Sequence, residues 1–85
     1  MKTRANEIAE SNSENKTQLY LDFARELAKK AQEFTCEETP FLQRMSAKEV
    51  ISYFRKCESA DCEYAAYAAA HAAEIWMDKV MSYEQ

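Results

Sequence analysis

The chain has 85 residues, of which 47% are hydrophobic and 31% are charged, and its formal net charge is −4. This length suits a single domain over residues 1–85, and the composition and charge exclude a disordered chain and disfavour a protein that coats nucleic acid. The chain has no glycine, which excludes phosphate-binding loops, dinucleotide fingerprints and the G-x-S-x-G elbow of hydrolases.

Residues 1–13 are predicted to form a flexible polar arm, with a marginal helix as the alternative, because Ile8 is their only large aliphatic side chain after the start. A first helix is predicted over residues 14–34, since Ser11 and Glu14 have the spacing of a capping box. Apolar residues then recur at steps of three and four, which is the period of one helical face. They are Leu19, Tyr20, Phe23, Ala24, Leu27, Ala28, Ala31 and Phe34.

A second helix is predicted over residues 46–57, because Pro40 interrupts the first period and Ser46 and Glu49 form another capping box. A long third helix is predicted over residues 61–83, which is rich in alanine, the residue of highest helix propensity. No glycine-containing hairpin turn is present. The expected fold is therefore all-α: a small three-helix domain with a polar N-terminal arm and a long alanine-rich C-terminal helix.

The third predicted helix has two apolar faces. One face has the alternating spacing of a helix-packing seam and consists of Cys62, Ala66, Ala69, Ala73, Trp76, Val80 and Tyr83. About half a turn away lies a second row, here called the tyrosine stripe, which consists of Tyr64, Tyr67, Ala68, His71 and Ile75. A surface helix needs only one apolar face. The tyrosine stripe is thus either covered inside the monomer or contacts a protein partner through Tyr64, Tyr67, His71 and Ile75.

The sequence disfavours both a metal site and a catalytic site. Thiolate and imidazole ligands for zinc are available, but their spacing lacks the two close pairs of structural zinc sites; the residues are Cys36, Cys57, Cys62 and His71. Without a secretion signal, the cysteines are expected to be reduced thiols. The single histidine lies in an alanine-rich helix that has no strained turn to present a nucleophile. We expect no metal, no cofactor and no enzymatic activity.

The nucleic-acid alternative is a helix-turn-helix regulator formed by the second and third predicted helices. Its reading helix would begin with Asp61 and Glu63, which a phosphate lattice repels. Contacts would then fall to basic residues of the second helix, namely Lys48, Arg55 and Lys56.

The favoured expectation is a small non-catalytic protein-binding module that forms a homodimer or binds another protein. Residues 44–56 carry four basic side chains and one acidic one, whereas residues 58–85 carry six acidic and one basic. This uneven distribution of charge can guide the approach of a protein partner or of a second copy of the chain. The size and acidity resemble those of small phage and mobile-element accessory proteins, which often occupy and inhibit a host protein. No secretory signal or membrane span is evident, so a cytoplasmic location is expected.

Overall fold

Four helices make up most of the chain in the computed structural model, which describes residues 3–12 and 14–83. They are α1 (Arg4–Glu10), α2 (Lys16–Gln32), α3 (Phe41–Glu58) and α4 (Glu63–Ser82). No strand occurs among the described residues, and the prediction of an all-α domain is confirmed. Helices α2, α3 and α4 correspond to the three predicted helices, and α1 is an addition to them.

Helix α1 lies where the sequence predicted a polar arm. The Thr3 side chain caps it by accepting a backbone N–H hydrogen bond of 3.1 Å. Ala5 and Ile8, on one face of the helix, are buried. The carboxylate of Glu74 in α4 accepts the backbone N–H groups of Arg4 and Ala5 at 2.8 and 3.1 Å. These contacts satisfy donors that a helix of seven residues would otherwise leave to water.

Residues 4–10 form the helix that was the alternative to a flexible arm, and the groups that stabilise it are distant in sequence. Glu74 is 70 residues from Arg4, so no local pattern announces the contact. Residues 1, 2 and 13 of the predicted arm lie outside the described residues. The order of residues 4–10 is therefore a tertiary effect.

Helix α2 begins at Lys16, and the capping box predicted from Ser11 and Glu14 is wrong. Asn15 is the N-cap instead, and its side chain accepts the Gln18 N–H at 3.3 Å. The Ser11 hydroxyl donates to the carbonyl of Ile8, at 2.8 Å. The serine thus closes the preceding helix and does not start the next one.

Helix α3 begins at Phe41, five residues before the predicted start at Ser46, so the second capping box is also wrong. Pro40 occupies the N-cap with a φ of −52°, and proline suits a helix start because it has no N–H to leave unpaired. Thr39 remains outside the helix, as the following proline ring favours. Its carbonyl accepts the Arg44 Nε–H at 3.1 Å.

The core is built largely from alanine, whose short side chain lets helices approach one another closely. One cluster lies near α1 and consists of Ile8, Tyr20, Ala24, Cys57, Ala66, Ala69 and Ala70. The second cluster lies toward the opposite end of α4 and consists of Ala31, Ala47, Val50, Ala73, Met77 and Val80. Larger apolar side chains such as Phe54 and Trp76 pack partly buried at the edges of these clusters.

The buried face of α4 is wider than the predicted seam. The predicted residues that are buried are Ala66, Ala69, Ala73 and Val80. Cys62 and Tyr83 are exposed, so the seam prediction is wrong at these two positions, whereas Trp76 is half-buried and packs against the core. Ala70 and Met77 are buried instead. The reason is that α1 and α2 pack on α4 beside α3, which broadens the covered arc.

Replacing Glu74 with alanine is expected to detach α1 from α4. The substitution removes the acceptor of two backbone N–H groups, and loss of a helix cap costs about 0.5–2 kcal/mol. We expect faster amide hydrogen exchange in residues 4–10, with protection retained in the cores of α2 and α3.

The control is Asp78→Ala, which removes an exposed carboxylate from the same helix. It should leave the exchange of residues 4–10 unchanged. Equal acceleration in both variants, or none in Glu74→Ala, would contradict the capping role of Glu74.

Candidate functional site

The structure places the predicted interface residues on one side of α4 with very different exposure. Tyr64 is 75% exposed and Ile75 is 43% exposed. Tyr67 and His71, which lie between them in sequence, are half-buried. The tyrosine stripe is therefore open at its ends and partly covered in its middle.

Helices α1 and α2 cover the middle of the tyrosine stripe through contacts with Tyr67. The Tyr67 hydroxyl donates to Asn6 Oδ1 at 2.6 Å. Its ring meets the buried Tyr20 ring edge-on, with centroids 5.7 Å apart, and stacks on His71 at 5.6 Å. The stripe thus combines core packing at Tyr67 with free apolar surface at Tyr64 and Ile75.

The thiols and the histidine lie in different environments. Cys57 is buried and donates to the carbonyl of Ala66 at 3.5 Å, whereas Cys36 is exposed in the connector between α2 and α3. Cys62 is the N-cap of α4, where its sulfur accepts the Ala65 N–H at 3.4 Å. In the described part of the chain, no three His, Cys, Asp or Glu side chains form a cluster suited to a metal ion.

A groove that the sequence did not predict lies between the start of α3 and the end of α4. It has a volume of about 480 Å³, and we call it the apolar groove. Its lining residues are Leu42, Met45, Ser46, Trp76, Lys79, Ser82 and Tyr83. The Lys79 ammonium lies 4.1 Å above the Trp76 ring, a cation–π contact that keeps the positive charge at the edge of the groove.

Several exposed apolar side chains line the apolar groove or lie next to its lining residues in sequence. Leu42 and Met45 in its lining are 54% and 49% exposed, and Phe41, just before them, is 64% exposed. Ile75 lies one turn before Lys79 on α4, because residues four apart are neighbours on a helix surface. The groove therefore adjoins the Ile75 end of the tyrosine stripe.

The three basic residues predicted as nucleic-acid contacts meet in one groove along α3. This basic groove, with a volume of about 560 Å³, is lined by Gln32, Thr35, Lys48, Ile51, Ser52, Arg55, Lys56 and Ser59. All three cations line this groove, and contact with nucleic acid stays a prediction. The sequence did not predict that Gln32, the last residue of α2, and Thr35, in the connector after it, also line the groove.

Comparison of the chain with protein-family models, curated proteins and solved structures finds no significant match. Among the described residues, none of the helices combines the length and apolar character that crossing a bilayer requires. The candidate functional surfaces of the chain are the apolar groove, the basic groove and the tyrosine stripe.

The thiols of Cys36 and Cys57 are expected to react at different rates in the native protein. The side-chain hydrogen bond with Thr39, at 3.2 Å, lowers the pKa of the exposed Cys36 thiol, whereas burial raises the pKa of Cys57. Because the thiolate is the nucleophile, iodoacetamide at neutral pH should alkylate Cys36 first. Peptide mass spectrometry over time measures the order.

The matched variant is Thr39→Val, which removes the side-chain hydrogen bond and keeps a β-branched residue before Pro40. The pKa of the Cys36 thiol should rise in this variant, so its alkylation should slow while that of Cys57 stays the same. Equal rates at both thiols of the folded wild type would show that these pKa directions are wrong.

Proposed function

We propose that the chain is a non-catalytic protein-binding module whose partner packs on the apolar groove. The observation that carries this proposal is the concentration of exposed apolar side chains around that groove. A contiguous apolar surface on a small protein marks an interaction site, whereas scattered single residues do not. Tryptophan, tyrosine and methionine, all present in the groove lining, are enriched in the cores of protein interfaces.

The non-catalytic part of the proposal is supported by the setting of the single histidine. The His71 ring is half-buried and stacks on the Tyr67 ring, with centroids 5.6 Å apart. A side chain in this setting contributes to aromatic packing. An accessory role in occupying a host protein, as in small phage proteins, stays a prediction from composition.

A second copy of the chain is the partner that we propose for the apolar groove. A chain of this size buries only about 60% of the surface that its unfolded form exposes, so covering further apolar area adds to its stability. A standard interface covers about 800 Å² per partner, a modest part of the total surface of 5678 Å². Ile75 and the open end of the tyrosine stripe would extend the same contact along α4.

A small DNA-associated regulator is the second candidate, and the convergence of Lys48, Arg55 and Lys56 favours it. The proposed reading helix α4 has Glu63 in its first turn, where phosphates would be repelled. Most of its length is covered by the other three helices. Measuring whether the basic groove binds duplex DNA more tightly than it binds a peptide tests this candidate.

Self-association is expected to depend on Met45. Light scattering over tens of micromolar should show a dimer for the wild type, and Met45→Glu should give a folded monomer because it places a charge in an apolar contact. The side chain is 49% exposed, so the monomer itself tolerates the substitution.

Met81→Glu is the matched control, since Met81 is 48% exposed but does not line the apolar groove. This variant should dimerise like the wild type. A wild type that stays monomeric throughout the range would show that a second copy is not the partner. Equal disruption by both variants would show that the contact does not use this groove.

A further inference from the structure

The basic groove carries positive charge that the protein itself does not neutralise. The ion pairs of the described residues lie within α1 and within α2, so neither Lys48 nor Arg55 takes part in one. The Lys56 ammonium lies 4.6 Å above the Tyr53 ring, a contact that leaves its charge in place. An anionic ligand would supply the missing partners.

The rest of the lining favours hydrogen bonding to an anion. No carboxylate belongs to the lining among the described residues. The hydroxyl of Ser52 and the amide of Gln32 are neutral groups that can donate hydrogen bonds to an anion, whereas the hydroxyls of Thr35 and Ser59 already donate to backbone carbonyls. Hydrogen bonds to a charged acceptor are about twice as strong as those between neutral groups.

The spacing of the cations matches that of acidic residues on a helix. Lys48 and Arg55 are seven residues apart, which is about 10.5 Å along the axis of α3 at 1.5 Å per residue. Two glutamates seven residues apart on another helix have the same separation. Ile51, halfway between the two cations, adds an apolar contact in the floor of the groove.

We infer that the basic groove binds an acidic helical segment of a partner protein, with carboxylates seven residues apart contacting Lys48 and Arg55. A segment that contacts only the groove is favoured over a duplex, because a duplex covers a larger footprint, about 600–1,000 Å² even for small DNA-binding modules. Exposed Glu33 and Glu58 adjoin the lining residues in sequence, and a duplex of that footprint would meet them. The site is separate from the apolar groove and does not depend on the proposed dimer.

The test uses the full chain and fluorescence anisotropy with two labelled alanine-rich helical peptides of about 15 residues. One peptide carries glutamates seven residues apart, and the other carries glutamines at those positions. We expect the wild type to bind the glutamate peptide and not the glutamine peptide. Binding should weaken as salt rises, because the Debye length falls from about 30 Å at 0.01 M to about 3 Å at 1 M.

The double variant Lys48→Ala/Arg55→Ala should bind the glutamate peptide at least about tenfold more weakly. Lys30→Ala is the control, since it removes an exposed lysine of α2 that does not line the groove, and it should bind like the wild type. Circular dichroism melts verify folding, which exposed substitutions are expected to preserve.

Equal binding of the two peptides, or unchanged binding by the double variant, would overturn the inference. A duplex oligonucleotide provides the competing outcome. If the duplex binds more tightly than the glutamate peptide and depends equally on Lys48 and Arg55, the groove is a nucleic-acid site and not a peptide site.

Discussion

The close approach of the other helices to the alanine face of α4 is the constraint on which the rest of the structure depends. Ala66, Ala70 and Ala73 are completely buried, and a larger side chain at any of them would push a neighbouring helix away. The buried Gln43 amide donates to the carbonyl of Val80 at 2.9 Å, which fixes α3 against the last turn of α4. With small residues along this face of α4, the bulky Trp76 packs at the edge of the core and lines the apolar groove.

Helix α4 also holds α1, through polar groups that add to the apolar contact of Ile8 in the core. Glu74 accepts the first backbone N–H groups of α1, and Tyr67 donates to Asn6. Both side chains contact α1, and the ring of Tyr67 also meets Tyr20 of α2. As a result, one helix organises all of the others, and the tyrosine stripe is divided into a covered middle and open ends.

Helix α3 contributes to both grooves, and their chemistry differs along its length. Its first turns supply Leu42 and Met45 to the apolar groove, whereas Lys48, Arg55 and Lys56 line the basic groove from the middle of the helix to its end. The position of α3 against α2 and α4 therefore sets the shape of both sites.

The sequence by itself determined the all-α fold and three of the four helices, because helical periodicity is a property of neighbouring residues. It could not determine α1, which depends on Glu74. It also could not show that Asn15 and Pro40 are the N-caps of α2 and α3, because two other segments have the spacing of a capping box. It also could not find the apolar groove. Whether an apolar side chain such as Trp76 is core or surface depends on which arc of its helix the other helices cover, and only the tertiary structure decides that.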